Sequence, residues 1–165
     1  MTDQHQWENP KNQDAMEQIN STYIEALKET VKNSPYPKHM GMELSHIEYD
    51  RADVSLRLSE CHLQPFGIVH GGVLATVIDT ATFWSAFLRL PEDTGLVNVD
   101  LKLNYLAPIT NGVLVAEGVC LRPGRSLSYS EAKVFNAKRE LVAHGTSTLM
   151  ALPGKGLSME MPKFS

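Results

Sequence analysis

The longest apolar run of the chain, from Val73 to Leu90, predicts a helix that is buried on nearly every side. Its only ionisable residue before Arg89 is Asp79. The run is long enough to cross a bilayer. However, a carboxylate near its middle costs roughly 2.5–3.5 kcal/mol on insertion scales, and no second apolar run of this kind exists. We therefore expect a helix in the core of a domain and not a membrane span.

An amphipathic segment precedes this run. Between positions 12 and 33, apolar residues recur at intervals of three and four, which predicts one helix that packs on the domain through a single face. The apolar positions are Met16, Ile19, Tyr23, Leu27 and Val31. Pro35 and Pro37 then end the helix. Residues 1–11 are polar and lack the apolar core of a secretion signal, so we expect a flexible tail and a cytoplasmic protein.

Alternating apolar and polar positions predict five strands, one before the buried helix and four after it. They lie at residues 52–58, 97–105, 113–121, 127–135 and 141–151. In strand 97–105 the odd-numbered positions are apolar and share one face, which places Asn98 on the outer, polar face. Asn111-Gly112 and Pro123-Gly124-Arg125 are turn signals, and short turns favour antiparallel neighbours. Residues 153–165 predict a loose C-terminal tail.

These elements predict one domain of the α+β class. The 165 residues suffice for one core, and we place the domain at residues 12–152 with its central part at about 40–151. A curled antiparallel sheet wrapped around the long central helix is the simplest way to bury that helix. The net charge of −4 argues against nucleic-acid or anionic membrane partners. Cys61, Cys120 and the histidines show no metal-ligand spacing, so no metal is expected.

The stretch Gln64–Gly72 carries the strongest sign of chemistry. It ends in His70-Gly71-Gly72 at the start of the buried helix, where backbone N–H groups have no helical acceptor and the dipole favours negative charge. Asp79 lies nine residues after the histidine, about two and a half turns along a helix of ~3.6 residues per turn. A backbone oxyanion site together with a lone carboxylate indicates acyl-transfer chemistry.

Over about residues 40–151 the sequence resembles the hotdog-fold thioesterases, in particular the phenylacetate-degradation and aryl-CoA thioesterases. Four segments carry the resemblance, and they occur in the expected order. They are Gln64–Gly72, the helix with Asp79, Val97–Pro108 and Arg122–Leu127. The resemblance implies the hotdog fold and an acyl-CoA hydrolase without a cofactor, in which coenzyme A enters as part of the substrate.

The resemblance also implies a site that two subunits build together. Members of this family are at least dimeric, and the glycine loop of one subunit faces the helix carboxylate of the next. A homodimer, or a dimer of dimers, is therefore expected. The Gly71 N–H would polarise the thioester carbonyl, while Gln64 and His70 position that group or its loop. Asp79 would act as a general base on water or as a nucleophile, and Asn98 would orient the water.

Residues around this centre are expected to bind the substrate. Those predicted beside the acyl group are Gly72, Phe66, Thr76, Thr80 and Phe83. Arg122 and Arg125 flank a turn and are candidates for the phosphates of coenzyme A. Because Phe83, Trp84 and Phe87 make the central helix bulky and aromatic, an aryl or medium-chain acyl group is expected.

Two positions depart from the family pattern. Relatives with glutamine at position 64 often carry glutamate at the position of Asp79, and relatives with aspartate there often carry asparagine at position 64. Where part of the family uses a hydroxyl side chain to hold water, this chain has Asn98, with Thr76 or Thr80 as alternatives. Two other functions therefore stay open. One is a non-catalytic acyl-CoA-binding sensor, and the other is a hotdog dehydratase acting on a β-hydroxyacyl thioester.

Overall fold

The computed structural model describes residues 17–165, which form two short helices, a central helix and a seven-stranded sheet. The elements are α1 (Ser21–Asn33), α2 (Pro35–Met40), β1 (Met42–Glu48), β2 (Arg51–Arg57), α3 (Gly71–Phe87), β3 (Thr94–Asn98), β4 (Lys102–Tyr105), β5 (Val113–Arg122), β6 (Leu127–Phe135) and β7 (Leu141–Pro153). A short 3-10 turn at Glu60–His62 precedes α3. The strand order is β1-β2-β5-β6-β7-β3, with β4 also on β7, and every pairing is antiparallel. This confirms the α+β hotdog fold.

The sheet curls around α3, which lies against β2, β5, β6 and β7. Val77, Ile78 and Ala81 of α3 are fully buried there. Two glycines allow this close approach. A Cβ at Gly118 would lie 2.3 Å from the carbonyl oxygen of Ala81, and one at Gly145 would lie 2.8 Å from Ile78 Cγ2. Within residues 17–165, no helix is long and apolar enough to cross a bilayer.

The predicted strand 97–105 is two strands, β3 and β4, separated at residues 99–101. At the break, the Thr148 N–H donates to Asp100 Oδ1 (2.9 Å) and the Ser147 hydroxyl donates to the Asp100 carbonyl (2.7 Å). The predicted orientation was wrong for the first half, because Val97 and Val99 are exposed and Asn98 faces α3. Pairing with β7, and not the alternation of residues, sets this orientation.

The N-terminal helix begins later than its periodicity predicts. The Asn20 side chain accepts from the Thr22 N–H (3.0 Å) and caps α1, so that Ile19 lies outside the helix and bridges to Phe164. The predicted tail at residues 1–11 and the first predicted helical residues, 12–16, lie outside the described residues. The strand β1 and the helix α2 were not predicted.

The C-terminal segment was predicted to be loose, and this was wrong. Its residues 154–165 form no helix or strand, but Lys163 is only 1% exposed. The Lys163 ammonium donates to the carbonyls of Phe87 (2.8 Å) and Leu90 (2.7 Å) and lies over the Phe87 ring. The side chain therefore caps the C-terminal end of α3, where cations are favoured.

We expect Lys163→Ala to lower the free energy of unfolding by about 2–4 kcal/mol, because it removes a buried stem and two charge-assisted hydrogen bonds. The thermal midpoint should fall by roughly 5–15 °C in calorimetry. Lys155→Ala, on the same segment but at an exposed position, is the matched control and should leave the midpoint unchanged. Equal midpoints for the two variants would contradict the capping role.

Candidate active site

The loop before α3 is held in shape by its own hydrogen bonds. Gln64 Oε1 accepts from the Phe66 N–H (2.8 Å), and the Gln64 carbonyl accepts from the Gly67 N–H (2.8 Å). Gly67 has a positive φ of 76°, which a side chain would disfavour. Phe66 was predicted to contact substrate, but it is 89% exposed and lines neither of the two pockets described below. Within this subunit, the side chain and the carbonyl of Gln64 thus both accept hydrogen bonds from the loop.

His70 is the N-cap residue of α3. Its Nδ1 accepts from the Gly72 N–H (2.8 Å), so that this N–H is occupied and does not face a ligand. The Gly71 N–H, in contrast, makes no hydrogen bond to any group of residues 17–165. It is thus a free donor at the positive end of the helix dipole. Gly71, the predicted oxyanion donor, is the first residue of α3.

A cleft of about 390 Å³ opens beside the Gly71 N–H. Its lining is Gln64, Ile68, Val69, Gly71, Leu74 and the segment 105–109. The ring of Tyr105 lies over Gly71, since a Cβ built there would come within 2.8 Å of Tyr105 Cζ. Tyr105 was not predicted as a site residue. Its position at the end of a strand, directly before Leu106-Ala107-Pro108, is the signal that could have found it.

Asp79 lies half-buried in the middle of α3 and opens into a second pocket of about 200 Å³ between α3 and the α1–α2 segment. The pocket is lined by Val31, Ser34, Tyr36, Pro37, Met42, Asp79, Thr80, Phe83 and Trp84. Burial raises the pKa of the Asp79 carboxyl above its ordinary value, and the Asn98 amide acts in the opposite direction. No basic side chain of residues 17–165 forms an ion pair with it. A carboxylate in this setting is suited to accept a proton.

Asn98 braces the turn that carries Asp79. Its amide donates to the Asp79 carbonyl (3.3 Å), to Thr82 Oγ1 (3.4 Å) and to Ser147 Oγ (3.1 Å). These bonds join β3 to α3 and β7 next to the helix turn that carries Asp79. Asn98 was predicted to orient the water, and in this subunit its amide contacts the backbone of Asp79 and the hydroxyls of Thr82 and Ser147.

The other predicted residues divide between site and surface. Thr76 and Thr80 lie on the same face of α3 as Asp79, and Thr80 and Phe83 line its pocket. Thr80 donates to the Thr76 carbonyl (2.8 Å). Arg122 and Arg125 are exposed and line neither pocket. Ser130 of β6 contacts Ser85 near the C-terminal end of α3, and both arginines follow this point along the β5–β6 hairpin. Within one subunit they therefore lie toward the end of α3 opposite to Gly71.

Gly71 and Asp79 do not meet within one subunit. They are eight residues apart on a continuous helix, which is about 12 Å along its axis. Their two pockets share no lining residue. One thioester carbon therefore cannot contact both groups of the same chain.

Comparison with known proteins agrees with the fold of this chain. The sequence model of the thioesterase superfamily matches residues 66–143, from the loop before α3 into β7. Over these residues the chain is similar to members of the thioesterase superfamily. The match includes Gly71, Asp79 and Asn98, and it ends before the C-terminal segment.

Individual relatives within this superfamily have recorded activities. A 1,4-dihydroxy-2-naphthoyl-CoA hydrolase of Listeria monocytogenes is 26% identical over 110 residues, covering 67% of this chain and 89% of that protein. The medium/long-chain acyl-CoA thioesterase YigI of Escherichia coli is 25% identical over 135 residues, covering 73% and 87%. The crystal structure of thioesterase HI1161 from Haemophilus influenzae has a TM-score of 0.76 at 24% identity, over 88% of this chain and 99% of that chain. The prediction of a thioester hydrolase of the thioesterase superfamily is confirmed. The phenylacetate-type subtype stays a prediction.

Proposed function

We propose that the chain is an acyl-CoA thioesterase whose active site joins the Gly71 loop of one subunit to the Asp79 carboxylate of a second copy. The observation that carries this proposal is the separation of about 12 Å between the two groups along α3. Each group has its own pocket and its own suited chemistry, an oxyanion donor and a desolvated carboxylate. A two-fold dimer in which the pockets merge would supply both to one thioester, with two equivalent sites.

The free edge of the sheet supports pairing between copies. In the strand order β3 is terminal, so no strand of residues 17–165 pairs with the outer side of its backbone. Val97 and Val99 beside this edge are exposed. Antiparallel pairing of β3 with β3 of a second copy would satisfy the edge N–H and carbonyl groups. It would also bring the second copy next to Asn98 and hence to the helix turn with Asp79.

In the proposed reaction, the thioester carbonyl oxygen accepts a hydrogen bond from the Gly71 N–H, whose helix dipole stabilises the developing negative charge. Asp79 either takes a proton from the water that attacks the carbonyl carbon or attacks that carbon itself to form an anhydride, which water then cleaves. The carbon–sulfur bond breaks, the thiolate of coenzyme A leaves and is protonated, and the free acid remains. Both routes require an ionised Asp79.

The pocket beside Asp79 supports an aryl or medium-chain acyl group. Its buried walls are apolar, with Val31 and Met42 on one side and Phe83 and Trp84 on α3. The pocket measures about 200 Å³, which is room for an aryl ring or a chain of medium length. A bare acetyl group would leave most of the pocket unfilled.

Thiol release from butanoyl-, octanoyl-, palmitoyl- and benzoyl-CoA tests the proposal. We expect turnover, with octanoyl- or benzoyl-CoA preferred over butanoyl- and palmitoyl-CoA. Binding of the esters without thiol release would favour the acyl-CoA sensor. An enoyl product from a β-hydroxyacyl-CoA without thiol release would favour the dehydratase. A homodimer or a dimer of dimers in light scattering is expected in parallel.

The pH dependence of the rate follows from the environment of Asp79. Because burial raises its pKa, kcat/KM should fall toward acid pH with a midpoint above the ordinary aspartate value of about 3.9. Asn98→Ala removes the contact that lowers this pKa, so its midpoint should lie at higher pH than in the unchanged protein. A pH profile of kcat/KM for both proteins measures this. A midpoint that moves to lower pH in Asn98→Ala would contradict the assignment.

A further inference from the structure

The short helix α2 forms a roof over the Asp79 pocket. It follows α1 after Ser34, its first residue is Pro35, and Gly41 ends it in the left-handed conformation with φ 63°. Among residues 17–165, the hydrogen bond that joins α2 to α3 runs between Tyr36 Oη and Thr76 Oγ1, at 2.8 Å. At its other end, the Met40 carbonyl lies 3.0 Å from His62 Nε2, so that α2 is held at both ends and Tyr36 supplies the bond to the central helix.

This contact lies one helical turn from Asp79. Thr76, Asp79, Thr80 and Phe83 follow one another at spacings of three, one and three residues, so they lie along one face of α3. Tyr36 is 55% exposed and stands at the mouth of the pocket, whereas Val31 and Met42 are buried and close its inner side. An acyl group held beside Asp79 therefore lies beneath α2, between an exposed tyrosine and a closed apolar floor.

We propose that Tyr36 is a specificity-determining residue, which fastens α2 over the acyl group and so limits the length of chain that the pocket accepts. This inference rests on the proposed function, since it assigns the pocket beside Asp79 to the acyl group. With the floor closed by Val31 and Met42, additional methylenes have room only if the roof moves. The ring of Tyr36 occupies the mouth, and its hydroxyl holds the roof down.

S-alkyl-CoA thioethers of four to fourteen carbons test this assignment, because they bind without being hydrolysed. In titration calorimetry, we expect affinity to rise about fourfold for each methylene that enters the pocket. The rise should stop at a medium chain length, where the pocket is full. In Tyr36→Ala, the rise should continue for at least two further methylenes, which makes the longest thioethers at least tenfold tighter than in the unchanged protein.

Two further variants distinguish the role of Tyr36 from general effects of changing α2. Tyr36→Phe keeps the ring and loses the hydrogen bond to Thr76, so it should extend the rise by less than Tyr36→Ala does. His39→Ala changes an exposed residue of α2 that lines neither pocket and should keep the original length limit. An unchanged length limit in Tyr36→Ala would overturn the inference, as would a folded protein that binds thioethers without any dependence on chain length.

Thiol release measured on the same proteins distinguishes the two proposals. If Tyr36→Ala extends the length limit in binding and turnover is absent in every protein, the acyl pocket and the role of Tyr36 are supported while hydrolysis is refuted. If turnover is present and the length limit does not respond to Tyr36, the hydrolase is supported and the role of Tyr36 is refuted.

Discussion

Asp79→Asn is expected to lower kcat/KM for acyl-CoA hydrolysis by about 10²–10⁴-fold, the usual contribution of a general base. The amide has the shape of the carboxylate, but it neither accepts the proton of water at this site nor attacks the carbonyl carbon. The backbone carbonyl of residue 79, which accepts from Asn98, is unchanged. Binding of a non-hydrolysable thioether should therefore change little.

The stability of this variant is a second readout. Burial raises the pKa of Asp79, so folding disfavours the ionised carboxylate. The protonated carboxyl therefore stabilises the fold at acid pH, and this contribution is lost as the pH rises toward neutral. A neutral amide carries no charge to bury, so the thermal midpoint of Asp79→Asn at neutral pH should stay equal or rise. Asp93→Asn, an exposed aspartate beyond the end of α3, is the matched control with unchanged kcat/KM. Near-normal turnover by a folded Asp79→Asn protein would overturn the proposed mechanism.

The second large effect is expected when the two proposed groups are removed from different subunits. Asp79→Asn removes the carboxylate, and Gly71→Pro removes the oxyanion donor. Proline at the first helical position is well tolerated and removes the N–H that serves as oxyanion donor. His70 already has φ −64° and ψ 136°, the extended conformation that a residue before proline prefers. The hydroxyl end of the Tyr105 ring must shift to make room for the proline, and the residue as a whole is 58% exposed. We expect a loss of about 10²–10³-fold in kcat.

Heterodimers that carry Asp79→Asn in one subunit and Gly71→Pro in the other are expected to recover activity. If each site takes its glycine loop and its carboxylate from different chains, one of the two sites contains neither substitution. Such a heterodimer, isolated through two different affinity tags, should have about half the activity of the unchanged dimer. Each variant alone should be nearly inactive.

The reverse arrangement is the control. A subunit with both substitutions, paired with an unchanged subunit, should be inactive, because each site then contains one of the two defects. If the groups acted within one chain, this dimer would keep half the activity and the first heterodimer would have none. The pair of measurements therefore decides between the two arrangements even when the homodimers are equally inactive.

Local periodicity was sufficient for most of the elements. The apolar run that became α3 and the alternating segments that became β2, β5, β6 and β7 were predicted to within a few residues. In these four strands, buried and exposed residues largely alternate as the sequence does, since one face of each strand meets the core. The turn at Pro123-Gly124 joins the antiparallel neighbours β5 and β6, as expected. The expectation was wrong for Asn111-Gly112, because β4 pairs with β7 and β5 pairs with β2 and β6.

The elements that were missed break this periodicity. In β1 the register shifts between Leu44 and His46, so the alternation of buried and exposed residues is interrupted. Pro35 and Pro37 were predicted to end the first helix, and α1 does end at Asn33. The sequence analysis missed that both prolines also lie in the first turn of α2, where proline is tolerated. The orientation of Asn98 depended on pairing with Leu149 of β7, which is more than fifty residues away.

By itself, the sequence determined the fold class and predicted a likeness to thioesterases and the two groups of the proposed reaction, Gly71 and Asp79. These depend on patterns within a few turns of chain, where periodicity, glycine and a lone carboxylate act locally. Only the tertiary structure decided that these groups open into separate pockets and that Asn98 braces Asp79 from behind. It also decided that Tyr36 reaches Thr76 across forty residues. Such contacts arise from packing between distant segments, and no local pattern encodes them.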